Sequence, residues 1–268
     1  GKVRILLPAG TYYGPFLMDA IGGDNSIVFT SASGIASDVI LTLPSETQTN
    51  QTVIACSQAY HLRFEHLSIL IPDQQTEATA FLFLFRNESI TVEHCLIEMC
   101  RHSKAAFYQS GEWYLRNIVI SNNSVRGGKW GVCLQGTSAY WDTNVTICNN
   151  RFFGLVEQGI WLRHTLFGEI SGNELLQESK SSVGFYGIHL EETRGDRICA
   201  NRIMASRGYY GFYFSSVTPL QERLLVSNNE IKMQVNASNC GIYIYNHCHH
   251  LSFFHNSILL TGNGMGKC

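Results

Sequence analysis

Apolar and polar residues alternate in short runs along this chain, and the runs return at a nearly fixed interval. One run opens on Gly and reads Gly131-Val-Cys-Leu134, Gly159-Ile-Trp-Leu162, Gly187-Ile-His-Leu190, Gly211-Phe-Tyr-Phe214 and Gly241-Ile-Tyr-Ile244. Ala80-Phe-Leu-Phe83 and Ala106-Phe-Tyr-Gln109 are weaker, earlier copies. A period of two marks a strand with one face buried and one turned out. Ile160 and Leu162 are therefore predicted inside and Trp161 outside. A second run recurs out of phase: Ile120-Ser-Asn-Asn-Ser-Val125, Ile147-Cys-Asn-Asn-Arg-Phe152, Ile170-Ser-Gly-Asn-Glu-Leu175, Ile198-Cys-Ala-Asn-Arg-Ile203, Val226-Ser-Asn-Asn-Glu-Ile231 and Phe253-Phe-His-Asn-Ser-Ile258. Its shared Asn falls at 123, 150, 173, 201, 229 and 256, at intervals of 27, 23, 28, 28 and 27 residues. Cys95 and Leu67 hold the same place in two earlier copies.

A unit of this length with two or three short strands cannot bury its inner face alone. Stacking units at the inter-strand spacing of about 4.8 Å joins those faces into one core. The prediction is an all-β, single-stranded, right-handed parallel β-helix of about eight or nine coils, a rod of roughly 40 Å. Residues 1–45 are expected to form irregular first coils and a cap, and 46–268 the regular coils of one domain. The recurring Asn suits a left-handed turn residue whose amide bonds its neighbours one coil away. The recurring Gly suits a corner where a side chain would clash. Leucine-rich repeats lack this spacing, propeller blades need longer units, and no 3.6-residue period supports a helical solenoid.

Composition narrows the function. Charged residues are only 15% of the chain and the formal net charge is −2, so no nucleic-acid partner is expected. No apolar run reaches the length of a membrane span; the longest, Ala80 to Phe85, is strand-sized. The opening Gly-Lys-Val-Arg-Ile-Leu-Leu-Pro reads as a strand, not a signal peptide. The end after Cys268 follows closely on a repeat, so a fragment of a longer exported protein is expected, with a further domain or protein partner covering that end. The nine cysteines show no metal spacing; most are expected to be small buried residues, the rest an inter-coil disulfide. His247, Cys248, His249 and His250 read as a polar corner in preference to a metal site, and no metal or other cofactor is expected. His66, His94 and His255 precede the Asn column and are expected to bond backbone at turns. Asn-x-Ser/Thr sequons at 50, 87, 122, 144 and 236 are near chance in so Asn-rich a chain.

Val3-Arg-Ile-Leu-Leu-Pro-Ala-Gly-Thr-Tyr12 resembles the strand-then-Gly-Thr-Tyr opening of pectate-lyase-like β-helices. The segment Ser26 to Leu41 followed by Tyr60-His-Leu-Arg-Phe-Glu-His-Leu-Ser-Ile69 is similar to secreted, cell-surface β-helix proteins of Bacteroidetes-type bacteria. The resemblance covers essentially the whole chain. It implies an exported or cell-surface location, and it implies that a ligand would lie along the outer face of the Gly-initiated strands.

The outward column of those strands is Tyr108, Cys133, Trp161, His189, Tyr213 and Tyr243, and the next is Ser110, Gln135, Arg163, Glu191, Ser215 and Tyr245. Rings on a rigid sheet pack against the apolar face of a sugar, while Arg, Glu and His bond its hydroxyls or carboxylates. Tyr108, Trp161, Arg163, His189, Glu191, Tyr213, Tyr243 and Tyr245 are the candidate ligand-binding residues. For a polysaccharide lyase, His189 or Tyr213 is the candidate base and Arg163 or Arg194 the cation facing the substrate carboxylate. A glycoside hydrolase needs two facing carboxyls, and Glu191 and Glu192, adjacent in one strand, would point to opposite faces. The calcium-binding Asp cluster of pectate lyases, the paired Asp of polygalacturonases and the Asp-Pro-His of β-helix epimerases are missing. Three readings stay open: a non-catalytic module binding glycan or protein, a lyase or hydrolase in the same groove, and a passive spacer.

Overall fold

The computed structural model of the protein describes residues 1–45, 51–109, 111, 113–177 and 183–262, with the side chains of 236–238 excepted. Ser110, Asn50, Cys268 and the Asn236 side chain lie outside the described residues. All strands pair in parallel within one 26-stranded sheet that winds into a solenoid of about nine turns. The first six turns contribute three strands each; farther on, single strands such as Phe185–Cys199 and Arg202–Pro219 run on through a corner. In the fifth turn the three are β13 (Leu115–Ser121), β14 (Ser124–Arg126) and β15 (Trp130–Gln135). They pair in the next turn with β16 (Asp142–Cys148), β17 (Arg151–Leu155) and β18 (Gln158–Arg163). Winding begins at once: Lys2–Leu7 pairs with Ser26–Ser31 in unbroken register.

The alternation read from the sequence sets the core. Ile160, Leu162, Ile188, Leu190, Phe212 and Phe214 are fully buried, as are Ile120, Ile147, Ile170, Ile198 and Val226 of the second run. The recurring Gly has no room for a side chain: a Cβ on Gly159 would lie 2.5 Å from the Gly187 carbonyl and 2.9 Å from Leu175.

The Asn column is a buried hydrogen-bond ladder. Asn150 Nδ2 and its backbone N–H both donate to Asn173 Oδ1 at 3.0 Å. Asn173 repeats this onto Asn201, and Asn201 onto Asn229. The second Nδ2 hydrogen goes to a carbonyl at the end of the preceding strand, Ile147 O for Asn173. The left-handed turn conformation expected of these Asn belongs instead to the residue before each: His66, His94, Asn122, Asn149, Gly172, Ala200, Asn228 and His255 all have φ of 51–62°. The turn column absorbs the chain reversal, which frees the next side chain to point inward along the axis. The histidines thus mark the turns through their backbone, and the His66 and His94 rings stack.

Among the described residues no inter-coil disulfide is found. Cys56, Cys95, Cys100, Cys133, Cys148, Cys199 and Cys248 are free thiols. Cys148 and Cys199 share a column with Ser171 between them, two rungs of about 4.8 Å apart and beyond disulfide reach. Burial pushes the Cys56 and Cys95 thiols up to about 12, which keeps them protonated and inert.

Candidate functional site

The Gly-initiated strands form one outer face, and the register aligns its side chains coil by coil. Tyr108 pairs with Cys133, Cys133 with Trp161, Trp161 with His189, His189 with Tyr213 and Tyr213 with Tyr243. The second column also holds: Gln135, Arg163, Glu191, Ser215 and Tyr245 are successive partners.

The rings form a nearly continuous surface. Trp161 stacks on His189 at 5.4 Å, His189 meets Tyr213 edge-on at 4.6 Å, and Tyr213 stacks on Tyr243 at 5.5 Å. Cys133 is fully buried, and the rung it leaves small is spanned by Trp130, which contacts both Tyr108 and Trp161. Tyr186 stacks on His189 and touches Tyr210, which stacks on Tyr243. Trp130, Tyr186 and Tyr210 were not among the predicted residues. Each precedes the Gly of its run, where the backbone turns and strict alternation no longer tells inside from outside.

The face carries little charge of its own. Burial lowers His189 to about 4; burial raises Tyr186, followed by the neighbouring phenols, and Tyr210, followed by Cys240 and then the phenols. For Tyr213, burial and then Glu191 act in the same direction. All stay neutral near pH 7. Three polar atoms here are buried without a partner: Trp161 Nε1, His189 Nδ1 and Gln158 Oε1.

Two expectations about charged residues need correcting. Glu191 and Glu192 do not point apart: Glu192 takes a left-handed φ of 49° at the corner, and both carboxylates turn toward Arg163, at 3.9 and 3.6 Å. Arg194 is not on the ring face. It pairs with Leu166 on the adjoining face, and its guanidinium lies over Trp141 around that corner.

The polar corner near the C-terminal end does not converge on a metal. Val217 N–H donates to Cys248 Sγ, which also contacts the carbonyls of Phe214 and Tyr245. Among the described residues no group of three or more His, Cys, Asp or Glu is arranged to hold a metal ion, and no helix is long and apolar enough to cross a membrane.

Parallel coils wound around one apolar core define a right-handed parallel β-helix of the pectate-lyase-like kind. Residues 43–218 match the family model described as "Periplasmic copper-binding protein (NosD)", and the chain belongs to that family. No curated protein sequence matches it. Among solved structures it is similar to the periplasmic alginate epimerase AlgG, at 12% identity and a TM-score of 0.52 over 96% of this chain and 67% of that one. It also matches a GH136 lacto-N-biosidase from Eubacterium ramulus, at 11% identity and a TM-score of 0.43 over 97% of this chain and 63% of that one. The Azotobacter vinelandii mannuronan C-5 epimerase AlgE4 A-module matches at 12% identity and a TM-score of 0.40, over 100% and 90% of the two chains. At these identities the likeness is one of fold, and only the first is close enough in shape to bear on it.

Proposed function

We propose that this protein is an exported, non-catalytic module that binds an uncharged stretch of polysaccharide along the ring face. The observation that carries the reading is the run of rings from Trp161 to Tyr243 along one outer face. Rings supply the apolar contact a pyranose face needs, and phenol hydroxyls such as those of Tyr213 and Tyr243 can bond its hydroxyls. The family description favours a location outside the cytoplasm.

Two features weigh against the lyase. A lyase needs a cation free to meet the substrate carboxylate, and Arg163 is already shared by Glu191 and Glu192, while Arg194 faces elsewhere. Among the described residues no group of three or more His, Cys, Asp or Glu is arranged to hold the copper named in the family description.

The test is a glycan array with the purified chain, joined to an ultraviolet assay for unsaturated sugar release on acidic polysaccharides. Saturable binding without release is expected. It should weaken about 5–10-fold in Trp161→Ala and in Tyr213→Ala, the scale of about 1 kcal/mol per lost ring contact. Affinity should stay flat from pH 5 to 8, since His189 remains neutral down to about 4. Release of unsaturated sugar that vanishes in His189→Ala would overturn the reading in favour of the lyase.

A further inference from the structure

Around the corner from the ring face runs a second groove, of about 420 Å³. Its floor is Trp141, with Arg194, Ser216, Thr218 and His164 among its walls. It owes its shape to the left-handed corner residues His164, Glu192 and Ser216, at φ of 46°, 49° and 54°, which turn successive coils outward at the same place.

The charges in this groove are distributed differently from those on the ring face. Its one carboxylate is committed: Glu192 Oε2 lies 3.0 Å from His164 Nε2 and 3.6 Å from Arg163 Nε. Arg194 makes no ion pair among the described residues, yet it is held in place by the Trp141 ring, 5.7 Å below its guanidinium carbon. Stacking orders the guanidinium while leaving its N–H edge open. Thr193, 1% exposed, pairs with the core residue Val217 and turns its side chain inward, so the groove is lined by its neighbours. Ser216 and Thr218 add hydroxyl donors on the next coil, where Thr218 pairs with Arg194. An ordered cation without an ion-pair partner, beside the hydroxyls of Ser216 and Thr218, matches a group that carries negative charge on several oxygens.

We propose that the groove of Trp141, Arg194 and Thr218 is an oxyanion-binding site, separate from the ring face, whose ligand is the carboxylate of an acidic sugar or a free phosphate. Arg194 grips the oxygens in a fork, Ser216 and Thr218 donate from the side, and Trp141 packs against the body of a sugar if one is attached. The site does not depend on the ring face binding a glycan.

The test follows the Arg194 Nε–Hε signal of the full chain by nuclear magnetic resonance during titration with sodium glucuronate, inorganic phosphate or glucose, with calorimetry in parallel. A saturable shift is expected with one or both anions and none with glucose. Glucuronate alone would assign a carboxylated sugar, and phosphate alone a free phosphate. Arg194→Gln should weaken binding at least tenfold, and Thr218→Val by a smaller factor. Trp161→Ala, which disables the ring face, should leave the anion affinity unchanged, so the two sites fail separately. Glucose binding as well as glucuronate, the absence of any shift, or an affinity within twofold of the native value in a folded Arg194→Gln variant would each overturn the proposal.

Discussion

Asn173 shows what one side chain does in this stack. It is 1% exposed, accepts two hydrogen bonds from Asn150 and donates one to Asn201 and one to Ile147. Asn173→Ala would leave two donors and a carbonyl buried and unpaired, at about 1–3 kcal/mol each before relaxation. A loss of at least about 3 kcal/mol is expected in chemical denaturation. Asp142 acts in the opposite sense. Its Oδ1 accepts from Gln109 Nε2 and Leu115 N–H, but its Oδ2 is unpartnered. Burial raises its pKa from 3.8 to about 7, against the opposing pull of those hydrogen bonds. Between about pH 4 and pH 7 the folded chain therefore holds one more proton here than the unfolded chain. Stability falls as pH rises through that window, by about 1.4 kcal/mol per unit. Asp142→Asn should remove that slope and stabilise the protein at pH 8; an unchanged slope in denaturation between pH 5 and 7 would refute this. The Asn column was legible because one residue recurs at one interval. Asp142 was not, because its role comes from a corner shared with Gln109 and Leu115, which no local pattern links.

At the level of the strand, the Gly-initiated run carries both the packing and the outer face. Gly159→Ala would drive a methyl into the Gly187 carbonyl and Leu175. Overpacking of this kind costs about 1–3 kcal/mol, which a lowered unfolding midpoint with unchanged far-ultraviolet circular dichroism would report. The outward columns from Tyr108 to Tyr243 and from Gln135 to Tyr245 were readable because period-two alternation survives through these strands. It fails at the corners. Trp130, Tyr186 and Tyr210 join the ring face from the residue before the Gly, and Glu192 swings toward Arg163 because the chain enters the left-handed region there. Trp141, His164 and Arg194 meet across three coils, a neighbourhood set by the winding.

For the whole molecule, a common repeat was enough to foretell a solenoid of about nine turns, because each coil needs only its neighbours to bury its inner face. The two grooves then divide the surface by charge. On one face Arg163 is neutralised and the rings are uncharged; around the corner Arg194 stands open. Glycan binding on the first and anion binding on the second are accordingly predicted to respond to different variants, Trp161→Ala and Arg194→Gln, with no cross-effect in either titration.

Every strand of the ring face runs the same way, and this has a consequence for anything that lies along it. An antiparallel sheet looks much alike from either end, whereas here each rung offers its backbone and side chains with one sense, and the face passes from indoles at Trp130 and Trp161 to phenols at Tyr213 and Tyr243. A polymer with two unlike ends meets a track that is itself directional. Turning it round exchanges every contact for a different one, so the two orientations differ in free energy and a bound chain is threaded with a preferred heading.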